Sequence, residues 1–198
     1  MNRFYVGLAL GQRQDPSAVA VVEKDLQTLL VRHVERVPLG TPYPRVVSRM
    51  RRITGHPELC GRCAMAVDAT GVGTPVVEML KEAGLDCEVC AVTITSGERA
   101  NETGSGWNVP KQDLIAGVQV LLERGALRIA RDLGELAPLV RELMDMKSLR
   151  SRTGRIRFGA DGCGEHDDLV IALALACWRA GRQEARKNGW GTRRILGI

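Results

Sequence analysis

The stretch FYVGLALGQRQDPSAVAVVEKDLQTLLVRHVERV, residues 4–37, decides the fold. It holds three apolar runs, FYVGLALG (4–11), AVAVVEK (18–24) and LLVRHVERV (29–37), separated by polar breaks of which QRQDPS is the longer. Runs of this length bounded by Asp, Pro and Ser read as strands, and short connections between successive strands give an antiparallel meander. Working outward, the turn LGTPYP leads into a basic helix from Arg45 to Thr54, with Val46, Val47, Met50 and Ile53 on its inner face and Gly55 and Pro57 at its end. AMAVDAT then supplies a strand at 64–68, followed by the turn TGVG. A helix runs from Pro75 to about Ala83, with Thr74 and Pro75 as N-cap and first-turn residues and Gly84 as its stop. A further strand is expected at 87–95. SGERANETGSGWN (96–108) reads as a mobile polar loop.

A helix from Pro110 to Arg124 shows Leu114, Ile115, Val118, Leu121 and Leu122 at amphipathic spacing, and ALRIA is a short strand. A helix at 133–145 precedes MKSLRSRTGRIRFGA, read as a projecting basic hairpin. The last helix is opened by His166 and closes near Gly181. The order βββαβαβ followed by helices predicts an α/β fold, a mixed sheet with helices on both faces. Residues 1–182 are expected to form this one domain and 183–198 a charged, irregular tail.

Composition bounds the function. The chain has 198 residues, 44% of them apolar, enough for a core that needs no disulfide staples. No apolar run is long enough for a membrane span, and Met1-Asn2-Arg3 leads straight into a strand without a secretory signal, so the expected compartment is the cytosol. The net charge is +5, with 23 Arg against 5 Lys, which suits a phosphate-bearing partner. The basic excess is concentrated from Lys147 onward, where a polyanion would be met. Six cysteines include CGRC (60–63) and CEVC (87–90). Residues three apart on a strand point to opposite faces, so CEVC is a poor pair of zinc ligands, and buried free thiols are the favoured reading.

The chemistry concentrates in carboxylates. Asp167 and Asp168 stand at the mouth of the apolar helix LVIALALACW, and Asp68 ends a strand of small apolar residues. Each has an ordinary explanation, a helix N-terminal charge or a strand-end turn former. Together, at the ends of central elements, they suit a hard divalent cation held through oxygen. Acids so placed are the usual frame for two-ion phosphodiester chemistry, in which one ion activates water and the other stabilises the leaving oxygen. His166 either orients a carboxylate or caps the helix. Arg13, Lys111 and the run Lys147, Arg150, Arg152, Arg155, Arg157 are candidates for tracking a duplex backbone, which implies little sequence preference. Trp107 and Trp178 read as packing residues.

Four segments in order, YVGLALGQRQDPSAVAVVE, VDATGVGTPVVEML, WNVPKQDLIAGVQVLLERGALRIA and GEHDDLVIALALACW, resemble the nuclease domain of phage terminase large subunits, a branch of the RNase H-like fold, over about residues 4–180. The resemblance implies a magnesium- or manganese-dependent endonuclease that cuts concatemeric viral DNA during packaging in the bacterial host cytosol. Its implied partners are double-stranded DNA, the terminase ATPase domain, the small terminase subunit and the portal. It assigns Asp68 and Asp168 as metal ligands, with Asp167 and Asp15 assisting. The pattern is broken at one position: such domains carry aspartate on the first strand, and this chain has Ala9 there, which implies weakened metal binding and cleavage. No GxxxxGK[ST] phosphate loop occurs, so ATP hydrolysis is not expected. Two other readings compatible with the residues are a Holliday-junction-resolvase-like nuclease and a non-catalytic DNA-binding packaging module.

Overall fold

The computed structural model describes residues 3–11, 15–71, 73–146, 148–150, 156–158 and 167–187. The meander forms as β1 (Arg3–Ala9), β2 (Ser17–Asp25) and β3 (Thr28–Val37), each antiparallel to its neighbour. After α1 (Tyr43–Thr54), β4 (Cys63–Asp68) lies parallel to β1. α2 (Gly73–Glu82) then leads to β5 (Cys87–Thr95), parallel to β4. β6 (Asn101–Thr103) and β7 (Gly106–Pro110) extend the sheet beyond β5, and α3 (Lys111–Glu123), β8 (Leu127–Ile129) and α4 (Leu136–Asp145) follow. β9 (Ser148–Arg150) and β10 (Ile156–Phe158) pair as a separate antiparallel hairpin, and α5 (Asp168–Lys187) closes the fold.

The main sheet has eight strands in the order β6-β7-β5-β4-β1-β2-β3-β8. β1, β3, β4, β5, β7 and β8 run one way, and β2 and β6 the other. The carboxyl ends of six strands therefore share one edge of the sheet, and this fact positions the site. The expected α/β architecture is the observed one, including helices on both faces. Among the described residues no helix is long and apolar enough to cross a membrane.

Alternation along the central strands builds two cores. Phe4, Val6, Leu8, Val19, Val21, Met65 and Val67 face α1 and α2. Tyr5, Ala9, Ala18, Ala20, Ala64 and Ala66 face α5, whose Leu169, Leu173 and Leu175 are fully buried. Each such leucine contributes about 1.5–3 kcal/mol through burial. Small residues on the α5 face let the helix settle unusually close. A Cβ at position 7 would lie 1.9 Å from the Ala172 carbonyl oxygen, so Gly7 is what allows β1 and α5 to touch through their backbones.

Two sequence expectations are corrected. The segment 96–108 is not one loop: Asn101–Thr103 and Gly106–Pro110 are paired strands, and β7 continues the parallel register through Val92↔Trp107 and Thr95↔Pro110. Its polarity belongs to a sheet margin, and Gly106 is needed there because a Cβ would meet the Ala91 carbonyl oxygen at 2.3 Å. The last helix also does not stop near Gly181. It runs to Lys187, because nothing in RQEARK breaks a helix once the apolar face has anchored it.

Candidate metal and nuclease site

Asp68 is the last residue of β4, and alternation puts it on the α5 side of the sheet with Ala64 and Ala66. Its carboxylate accepts the Thr70 backbone N–H at 2.8 Å, and the Thr70 hydroxyl in turn accepts the Ile94 N–H at 2.9 Å, tying the turn to β5. Burial raises the Asp68 pKa. Hydrogen bonding from Thr70 pulls it down, the Asp167 charge raises it further, and the Lys111 charge lowers it. Asp68, Asp167 and Lys111 thus share one electrostatic neighbourhood, although they come from β4, the start of α5 and the start of α3.

Asp167 immediately precedes α5, and its backbone carbonyl accepts the Ile171 N–H at 2.9 Å as the helix begins. A side chain at this position commonly caps the amides one turn ahead. Here Glu142 from α4 does that work, its Oε2 accepting the Val170 N–H at 3.0 Å. The Asp167 carboxylate is turned instead to Lys111, whose Nζ donates to Oδ2 at 2.5 Å.

Asp168, one residue on, points elsewhere. It is 7% exposed, and its Oδ2 accepts the Arg36 Nε–H at 2.9 Å. The same guanidinium donates through Nη2 to Glu142 Oε1. Glu142 is 8% exposed, and its pKa is raised to about 7. Burial is the main cause, opposed by the Val170 N–H and Arg36 and reinforced by Asp168 and Asp167. The two adjacent aspartates therefore divide by partner: Asp167 is bonded by Lys111, whereas Asp168 is bonded by Arg36, which also bonds Glu142. Arg36 and Glu142 escaped sequence reading. The register shows why Arg36 reaches so far: Ala9 pairs with Ala18, and Ala18 pairs with Arg36, so two methyl groups line the way across the meander.

Ala9 itself is 5% exposed at the end of β1, one residue past the Leu8↔Val67 pair and so beside Asp68. It brings a methyl group where the resemblance expects a carboxylate. Asp15 is exposed in the connection to β2, at the same edge of the sheet. That connection is closed by the Gly11 N–H donating to the Ser17 hydroxyl at 3.0 Å. Arg13, Lys147, Arg152, Arg155 and His166 lie outside the described residues, as does Cys163. Arg150 and Arg157 occupy the paired strands β9 and β10.

Among the described residues no group of three or more His, Cys, Asp or Glu side chains is arranged to hold a metal ion. Asp68 and Asp167 are two carboxylates that Lys111 acts on at this edge, Asp167 by a hydrogen bond and Asp68 through charge. Both could offer carboxylate oxygen to a hard divalent cation, and Ala9, beside Asp68, offers none. The five described cysteines are free thiols. Cys87 packs on the α1–α2 side and Cys90 on the α5 side, the opposite-face placement expected of CEVC. Trp107 and Trp178 pack edge to face at 5.9 Å, with the Arg182 guanidinium 3.4 Å from the Trp107 ring centre.

An RNase H-like mixed sheet with acidic residues at its carboxyl edge defines the chain as an α/β domain. More particularly, the fold is that of phage large terminase nuclease domains. The large terminase nuclease from thermophilic phage G20c, in a crystal structure with bound magnesium, matches at TM-score 0.66 and 25% identity, over 90% of this chain and 82% of its own. The nuclease domain of the large terminase from bacteriophage SPP1, with bound Mn, matches at TM-score 0.58 and 16% identity, over 90% and 86%. The large terminase from another thermophilic bacteriophage matches at TM-score 0.62 and 12% identity, and this chain spans 38% of its length. No family model and no curated protein matches the sequence.

Proposed function

We propose that this chain is a terminase-type nuclease domain that acts on double-stranded DNA during phage genome packaging in the host cytosol, and that its cleavage step is impaired. What supports the reading is the fold, which is that of large terminase nucleases, together with the electrostatic coupling of Asp68 and Asp167 at the carboxyl edge of its sheet. Asp68 and Asp167 would hold one magnesium or manganese ion, which supplies an activated water and charge stabilisation for phosphodiester hydrolysis. Asp168 fixes the start of α5 through Arg36 and Glu142 and so sets where Asp167 points. Asp15, at the same edge, is placed to assist from the loop. The basic residues expected to track the duplex are Lys111, Arg13 and the Lys147–Arg155 run, and the partners implied by the likeness are the terminase ATPase domain, the small subunit and the portal. Ala9 removes the first-strand carboxylate, which accounts for the impairment.

The test is nicking and linearisation of supercoiled plasmid in manganese. The chain as it stands is expected to cut slowly, and Ala9→Asp to cut at least a hundredfold faster, in line with what a lost catalytic ligand costs (~2.7 kcal/mol or more). Asp68→Asn in the Ala9→Asp background should abolish that gain. A second reading, a DNA-binding packaging module without catalysis, is favoured by Ala9 together with the Lys111 ion pair. It is identified by DNA binding that survives while Ala9→Asp remains inactive. Fast cutting by the unaltered chain would overturn the role given to position 9.

A further inference from the structure

Lys111 is oddly placed for a helix residue. It is the first residue of α3, where the positive end of the helix dipole disfavours a cation. Its backbone position is nonetheless fixed: Pro110 is the last residue of β7, held in register with Thr95, and so delivers position 111 to the acidic edge. From there the ammonium group bonds Asp167 at 2.5 Å and lowers the pKa of Asp68 by its charge. An ammonium is a compact point charge with three donors, the side-chain group most like a small hydrated cation. From β3, Arg36 bonds Asp168 and Glu142 in the same way. The half-buried and buried acids of this edge are thus met by cations belonging to the chain.

We propose that Lys111 is a resident cation of the Asp68–Asp167 pair, holding the two carboxylates together in place of a divalent ion and competing with one for them. The inference rests on reading this edge as a cation-binding site. It adds that the site is stable without metal and that its metal affinity is held down by an intramolecular competitor as well as by the missing carboxylate at position 9. The competitor is about one-third exposed, so its tether is loose enough to yield to a strong ligand but always at high local concentration.

The test is manganese binding by calorimetry and thermal melting in EDTA and in millimolar manganese, on the full chain with DNA absent. Lys111→Met keeps the length of the stem and removes the charge. It is expected to bind manganese at least tenfold more tightly than the unaltered chain (about 1.4 kcal/mol), since a unit charge in direct contact with Asp167 is removed. Its melting temperature should rise in manganese by several degrees more than that of the unaltered chain. Lys111→Gln should behave like Lys111→Met, and Lys111→Arg like the unaltered chain. If Lys111→Arg gains affinity as large as Lys111→Met, the charge is not the cause and the inference falls. If Ala9→Asp binds manganese more tightly but neither neutral Lys111 variant does, the resident-cation role is wrong and the cation-site reading stands. Absence of binding in Ala9→Asp as well removes the site reading, and this inference with it.

Discussion

Glu142 gives the sharpest stability prediction. Its carboxyl is 8% exposed, bonds the first turn of α5 and Arg36, and has its pKa raised from 4.5 to about 7. The folded chain therefore holds the Glu142 proton more tightly than the unfolded chain does. Below pH 4.5 both states are protonated and the group is silent. Between 4.5 and about 7 the unfolded state ionises first, so stability falls as pH rises, and above about 7 the full penalty is in place. At about 1.36 kcal/mol per pH unit this amounts to about 3 kcal/mol. Glu142→Gln keeps an acceptor for the Val170 N–H and cannot ionise. Urea unfolding of both proteins, followed by tryptophan fluorescence from pH 4 to 8, should show the difference between them changing by about 3 kcal/mol in favour of the variant as pH rises. Asp68, whose raised pKa has the same sign, and Glu35, whose lowered pKa has the opposite sign, are present in both proteins and cancel in the difference. A difference that stays constant across this window would show that Glu142 is ionised throughout and that Arg36 outweighs burial.

Two other substitutions test the packing and the turn. Gly7→Ala places a methyl group on the Ala172 carbonyl oxygen and should destabilise by about 3 kcal/mol or more, read as a lower urea midpoint with unchanged slope. Leu26 sits at φ 52 in the β2–β3 turn and is 85% exposed, so Leu26→Asn relieves backbone strain without loss of packing and should stabilise by about 0.5–1 kcal/mol.

The local signals that were strong in the sequence are those that depend on neighbours along the chain. The three apolar runs of residues 4–37 became the meander because short connections leave antiparallel pairing as the only economical arrangement. Asp68 at the end of β4 and the acidic start of α5 were legible for the same reason, since a strand end and a helix start are local events. The segment 96–108 misled because polarity and glycine mark both loops and thin sheet margins. β5, already in place on one side, and β6 on the other offer the hydrogen-bonding partners that turn Gly106–Pro110 into a strand.

By itself, then, the chain determined its alternation of strands and helices, the acids that end them and the alanine at position 9. The tertiary structure decided which of two adjacent aspartates is paired with Lys111 and which with Arg36. That choice is made by Glu142 and Arg36, residues 28 and 132 positions away from their bonding partners Val170 and Asp168, through a helix cap and a guanidinium–carboxylate bond. A contact over such separations leaves no periodicity or spacing to read. It exists only after the sheet has brought the ends of β3, β4 and β7 to one edge, where burial makes an unmatched charge too costly to leave alone.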